Sequence, residues 1–284
     1  MNRRDFLHNS LGAVAAGTLL PSLTPAGRAL PRSPRVATLD KIGVQLYTLR
    51  SEMEKNVAAT LERVGKIGYN EVEFAGYFGQ RPAQIAALLK AAGLTAPSAH
   101  IDLATIRTNW QKMLDDASAI GHRYLVCSWI EEKERSPESL KKIAAEFNVA
   151  AMAARKHGIT FAYHNHDFEF VKGPDGVLLY DALLANTDAS LVKMEMDLYW
   201  IHHGKQDPQT YFAKYPGRFE LVHVKDMKTG GAMADVGAGT LPWARLFAQH
   251  GQAGIRHYFV EHDEPADAFA SVTASLKYLR ALTF

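Results

Sequence analysis

A chain of 284 residues, 47% apolar and 22% charged, is long enough for two ordinary domains or one barrel with a large core. Its 21 Gly and 12 Pro are too few for a collagen-like or disordered class, and the lone Cys127 excludes a disulfide framework while leaving the redox compartment open. The 32 Lys+Arg exceed the 30 Asp+Glu only through the N-terminus: residues 1–29 hold Arg3, Arg4 and Arg28 against Asp5, the remainder balances at 29 against 29, and no nucleic-acid partner is expected.

The chain opens on Arg3-Arg4-Asp5-Phe6-Leu7, runs apolar from Leu11 to Leu20 and turns to small residues near Ala26 to Ala29. A basic start, a short apolar run and a small-residue end are the parts of a cleavable export signal. The run is about half the roughly 20 residues a membrane span needs, so no permanent membrane anchor is expected. The paired arginines resemble a twin-arginine signal, which implies export to the periplasm in the folded state. Residues 1–29 are thus read as signal, 30–40 as linker and 41–284 as the catalytic domain.

From Lys41 onward one cadence repeats: an amphipathic helix, a Gly or Asn stop, a short apolar strand. Helical windows fall at Val57–Ile67, Pro82–Ala92, Ile106–Ala119, Pro137–His157 and Ala268–Leu282, each with an apolar stripe at three- and four-residue spacing. The stops include Gly68, Gly93, Gly121, Gly158, Gly217 and His250-Gly251, because glycine accepts the left-handed conformation that ends a helix. Candidate strands are Ile42–Tyr47, Glu71–Phe74, Thr95–His100, Tyr124–Cys127, Thr160–His164, Val192–Asp197, Phe219–His223 and Tyr258–Glu261. Eight strands alternating with helices predict parallel pairing and a single (β/α)8 TIM barrel. The competing fold, a doubly wound open sheet, wants a glycine-rich turn after the first strand, where Tyr47-Thr48-Leu49-Arg50 stands.

Barrel chemistry gathers at the carboxyl ends of the strands, and here nearly every strand ends on polar residues. Side chains alternate along a strand, so inward sets are read by twos. The fifth strand then points His164 and His166 inward, the sixth Glu195 and Asp197, the seventh Leu221, His223 and Lys225, the eighth Phe259 and Glu261. Convergent imidazoles and carboxylates on successive strands are compensated by a divalent cation, and this mixture suits Mn, Zn, Co, Fe or Mg better than Ca. Neighbours two apart on a strand lie roughly 6.6 Å from each other, too far for both to hold one ion. His166, Asp197, His223 and Glu261 are read as ligands and His164 as acid/base, with the exchange of His164 and His166 left open. Gln45, Tyr47, Glu73, His100, Trp129, Glu169 and Glu195 are candidates for lining the substrate pocket. The glycine runs Gly230-Gly231 and Gly237-Ala238-Gly239 follow the seventh strand, where barrels often bind phosphate; a flexible loop is the competing reading.

The pieces Tyr163-His164-Asn165-His166-Asp167-Phe168-Glu169, Asp197-Leu198-Tyr199-Trp200, His223-Val224-Lys225-Asp226 and Val260-Glu261 resemble the xylose-isomerase-like barrels of the sugar phosphate isomerase/epimerase superfamily. The resemblance spans the mature region and implies one divalent metal, held by Glu, Asp, His and Glu from strands five to eight. Asp197, His223 and Glu261 take the last three places; at the first, this chain has a histidine. A histidine pair there resembles inosose dehydratases and lyase/hydratases acting on 3-keto-glycosides, which implies proton abstraction beside a sugar carbonyl. Glu261 would join that chemistry as well as the metal, and Lys225 would stabilise an oxyanion or protonate a leaving group, or form a salt bridge at the rim. Isomerisation, epimerisation and elimination or hydration of a non-phosphorylated sugar or glycoside all fit. The alternative is a periplasmic sugar-binding barrel without chemistry. An exposed helix face would allow a homodimer.

Overall fold

The computed structural model describes residues 37–284, so the segment read as an export signal and the first part of the one read as a linker lie outside the described residues. The strands are β1 (Gly43–Gln45), β2 (Glu71–Phe74), β3 (Thr95–Ile101), β4 (Tyr124–Cys127), β5 (Thr160–His164), β6 (Val192–Asp197), β7 (Phe219–Val224), β8 (Asp226–Met227), β9 (Met233–Ala234) and β10 (His257–Val260). Strands β1 to β7 and β10 close a barrel of eight, each paired in parallel with its neighbour, and β10 returns to β1. The short β8 and β9 form an antiparallel pair on the loop beyond β7. This is the single (β/α)8 barrel expected from the strand–helix cadence.

Local chemistry explains the element boundaries. Asn56 starts the helix Val57–Ile67 by accepting the N–H of Ala59, and Gly68 ends it at φ 111°. Ser136 caps Pro137–Lys156 in the same way, with proline in its first turn. The window read as one helix over 106–119 is two, Leu103–Thr108 and Trp110–Ile120, because Asn109 leaves the helical region between them. The stop read at His250-Gly251 belongs to the next turn: His250–Ala253 is itself helical and Gly254, at φ 88°, closes it. The first strand is shorter than predicted, since the Gln45 side chain accepts the N–H of Tyr47 and turns Leu46–Leu49 into a 3-10 helix. No helix among the described residues is long and apolar enough to cross a membrane.

The alternation of inward and outward side chains holds where it matters. Val222, Val224, Tyr258 and Val260 pack in the core between barrel and helices. Leu221 and Phe259 join Tyr124, Val126 and Ala162 in a separate apolar plug inside the barrel. Gly43 is required there, because a Cβ would stand 2.4 Å from the Phe259 ring. Above the plug the interior turns polar, and that layer is the floor of the site.

Candidate functional site

The pairing of β6 with β7 sets Asp197 level with His223, and that of β7 with β10 sets Val224 level with Val260. Glu261, one residue on, therefore arrives beside the same group. Asp197 caps the helix Leu198–His203, its Oδ1 accepting the N–H groups of Tyr199 and Trp200 at 2.8 and 2.9 Å. Its Oδ2 makes no hydrogen bond, although Lys225 Nζ lies 3.1 Å away. His223 Nδ1 is 2.8 Å from Glu261 Oε2 and 4.0 Å from Asp197 Oδ2. The other His223 nitrogen, Nε2, is held 2.7 Å from Glu73 Oε2, a carboxylate that fixes the ring's orientation.

His164 stands with these groups: its Nδ1 is 3.1 Å from Glu195 Oε2 and its Nε2 is 3.9 Å from Asp197 Oδ2. His166 is one step further out. Strand β5 ends at His164, and His166 lies on the turn beyond, its ring 5.0 Å from that of His164 and against Trp129, Phe168 and Trp200. Two sets of atoms close enough to share an ion result, Asp197–His223–Glu261 and His100–His164–Glu195–His223. Of the four residues read as ligands the structure gathers three, and His164 rather than His166 is the histidine beside them.

The electrostatics follow from burial around unequal neighbours. Burial raises Glu261, but Lys225 and His223 overcome it and hold the carboxyl well below its usual range. For Asp197 burial wins over Lys225 and His223 and the value rises to about 6. Burial lowers Lys225, yet Asp197, Glu261 and Asp263 together raise it well above the usual ammonium value. His164 is pushed well below its usual value by burial and by His223, and His166 falls to about 3 through burial and Lys225. His100, desolvated but set between Glu73 and Glu195, rises to about 9.

A cavity of about 720 Å³ opens over this floor, lined in part by Tyr47, His100, Trp129, His164, His166, Lys225 and Glu261. Gln45, Glu73 and Glu195 are fully buried beneath it: Gln45 donates to Glu73, and Glu73 also receives the Ser98 hydroxyl. They support the imidazoles rather than face a substrate. Glu169 is a correction to the expected lining. It is buried in the turn Phe168–Phe170, where it accepts the Tyr163 hydroxyl and the N–H of His166, and it shapes the pocket only through His166. Asp263, 2.7 Å from Lys225 and on the cavity wall, was missed, although it lies two residues past Glu261.

The glycine loop after β7 is ordered around an anion of the chain's own. Asp226 is buried and accepts the N–H groups of Gly237, Gly239 and Leu241 and the indole N–H of Trp243. A Cβ on Gly239 would lie 2.2 Å from Asp226 Oδ1, so glycine is needed for this approach. Neither the phosphate site nor the flexible loop describes it.

The donor set fits a divalent cation. Glu73, Glu195, Asp197, Glu261 and Asp263 form one buried or half-buried network with Lys225 and the imidazoles of His100, His164 and His223, and Glu195 Oε1 and Asp197 Oδ2 are buried without hydrogen bonds. Unsatisfied buried carboxylate oxygens beside imidazole nitrogens are what a metal of the Mn, Zn, Co or Fe type compensates.

A sequence-family profile described as xylose isomerase-like TIM barrel matches residues 61–282. An inosose dehydratase of Geobacillus kaustophilus is 25% identical over 195 residues, which is 59% of this chain and 61% of the dehydratase. The match thus spans about three fifths of that relative's length. A crystal structure of a sugar phosphate isomerase/epimerase from Parabacteroides distasonis superposes with a TM-score of 0.75 at 28% identity, covering 88% of this chain and 96% of the other. A structure described as IOLI protein with a binding zinc atom has the same fold at a TM-score of 0.65 and 14% identity, over 84% of this chain and 95% of that one.

Proposed function

We propose that this chain, which belongs to the xylose isomerase-like TIM barrel family, is a divalent-metal-dependent enzyme that removes a proton beside a sugar carbonyl and expels or adds water or an alcohol. The observation that carries the reading is the convergence of Asp197, His223 and Glu261, with His164 beside them, under a cavity reached by a free imidazole and a lysine. The dehydratase relative and the zinc of the IOLI structure support it.

Asp197, His223, Glu261 and His164 would hold the metal, which when bound polarises a carbonyl oxygen and the neighbouring hydroxyl. His164, not the expected His166, takes the ligand place, because only its ring reaches Asp197. The acid/base role passes to His166, which lines the cavity and whose imidazole burial keeps neutral. His166 takes the proton from the carbon beside the carbonyl. Lys225, held by Asp263, donates a proton to the oxygen leaving the next carbon. A carbon–oxygen bond breaks, a carbon–carbon double bond forms, and water or an alcohol departs; hydration is the reverse. Glu261 is left as ligand and as the partner that positions Lys225.

The twin-arginine-like start supports a periplasmic setting, with metal loaded before export. The test is metal analysis of protein purified without chelators, followed by turnover of inososes, simple ketoses and 3-keto-glycosides with and without EDTA. Bound metal at one equivalent and EDTA-sensitive loss of water or alcohol are expected. Activity that survives exhaustive chelation refutes the reading, and sugar binding with no turnover of any of these substrates favours the binding-only barrel.

A further inference from the structure

The two sides of the cavity differ in chemistry. Its β5-to-β10 side carries His164, His166, Lys225, Glu261 and Asp263, and His100 on β3 extends that polar floor. Its other side, above β1 to β4, carries six residues without charge or imidazole, Tyr47 after β1, Gly76 and Tyr77 after β2, Ile101 and Met113 around β3 and Trp129 after β4, set among the polar Asp102, Thr105 and Ser128. None of these six is a metal-type ligand or a proton carrier suited to neutral pH.

Two of them share an unusual arrangement. Tyr47 and Trp129 remain 42% and 41% exposed although both line the cavity. Each has an arginine over its ring, Arg50 at 4.2 Å from the Tyr47 centroid and Arg135 at 4.5 Å from that of Trp129. Both arginines are tied down: Arg50 donates to the carbonyls of Tyr47 and Asp263, and Arg135 donates to that of Ile130 and also stacks on Phe168. His166 and Phe168 meet the Trp129 ring edge-on at 4.9 and 5.6 Å. An exposed aromatic needs no such framing to remain soluble; a stacking plate needs it, because a ring locked in plane loses little entropy when a ligand covers it.

The volume points the same way. About 720 Å³ lies in the upper part of the range of roughly 300–1,000 Å³ for sites that enclose drug-sized ligands. A single sugar ring of a dozen heavy atoms, seated on the β5–β10 side, leaves the Tyr47 and Trp129 rings uncovered.

We propose that the β1–β4 side is a subsite for a second, non-reacting ring, so that the substrate is a glycoside with a ring-bearing aglycone, aromatic or glycosyl, and not a free monosaccharide. This rests on the proposed sugar chemistry for the occupant of the polar side, but the plates can be tested without turnover. The full chain, with its metal content measured, is titrated calorimetrically with methyl β-glucoside and with phenyl β-glucoside, neither of which carries a ketone to react. Phenyl glucoside is expected to bind about tenfold more tightly, about 1.4 kcal/mol. Trp129→Ala should bring that ratio below threefold and Trp129→Phe should keep most of it, with circular dichroism showing all three proteins folded. Equal binding of the two glycosides, no binding of either, or a preference that survives both Trp129→Ala and Tyr47→Ala overturns the subsite. Loss of the subsite leaves metal content and keto-sugar turnover standing, and failure of those leaves the ring preference to be read on its own.

Discussion

Glu169 provides a prediction whose size follows from the structure. Its carboxyl is fully buried after β5, with one oxygen accepting the Tyr163 hydroxyl and the other the His166 N–H at 2.9 Å. Burial outweighs both donors and raises its pKa from 4.5 to about 8. The folded chain therefore holds this proton more tightly than the unfolded one. The stability it contributes is whole below pH 4.5 and is lost as the pH climbs through 8. At about 1.4 kcal/mol per pH unit, the gap between 4.5 and about 8 caps the loss at about 5 kcal/mol. Relaxation and water entry on ionisation reduce it, and about 2 kcal/mol is expected. Glu169→Gln keeps an acceptor for His166 and a polar partner for Tyr163 while removing the ionisable group. Urea unfolding at pH 5, 6.5 and 8 should find the variant within about 1 kcal/mol of the parent at pH 5 and more stable than the parent at pH 8. Parallel pH profiles for the two proteins would falsify the argument, since groups common to both cancel in the difference.

Three further outcomes test the site and its frame. His164→Ala should release the bound metal, whereas His166→Ala should retain it and lower kcat by about a hundredfold or more; metal retention in the first and loss in the second would reverse the roles assigned here. Glu261→Gln removes a ligand and one of the three carboxylates around Lys225, so both metal content and turnover should fall, and a fully metallated, active variant would contradict that placement. Gly239→Ala puts a methyl 2.2 Å from Asp226 Oδ1 and 2.7 Å from the Met227 carbonyl oxygen, and a destabilisation of about 1–3 kcal/mol should appear as a lower Tm. An unchanged Tm would mean that the loop is not held as described.

The barrel was legible because its signals are local and repeated. Strands β2, β4, β5 and β6 fall at the predicted residues, since each lies between a glycine or asparagine helix stop and a polar mouth residue. Alternation placed Leu221 and Phe259 inside and Val222, Val224, Tyr258 and Val260 outside without reference to any partner strand. What escaped depends on contacts distant in sequence. Asn109 breaks a helix that periodicity alone continues, and Asp226 collects donors 11 to 17 residues downstream. A glycine-rich loop looks the same on paper whether it awaits an external anion or has folded around an internal one.

The proposed assignment of His164 as ligand and His166 as acid/base has a specific structural cause. Reading by twos assumes that the strand continues, so it places both histidines on one inward face and separates them only by height. Strand β5 stops at His164, because Glu169 accepts the N–H of His166 and draws the chain into the turn Phe168–Phe170. His164 is thereby the last side chain that the barrel's own pairing aims at the axis, level with Glu195 and within reach of Asp197. His166 is aimed by the turn, toward Trp129 and Trp200 at the cavity wall. A metal ligand needs the rigidity of the strand, and a proton carrier needs a ring at the cavity wall, where His166 stands. One carboxylate, taken from the sequence for a substrate contact, separates the two proposed roles by ending the strand between them.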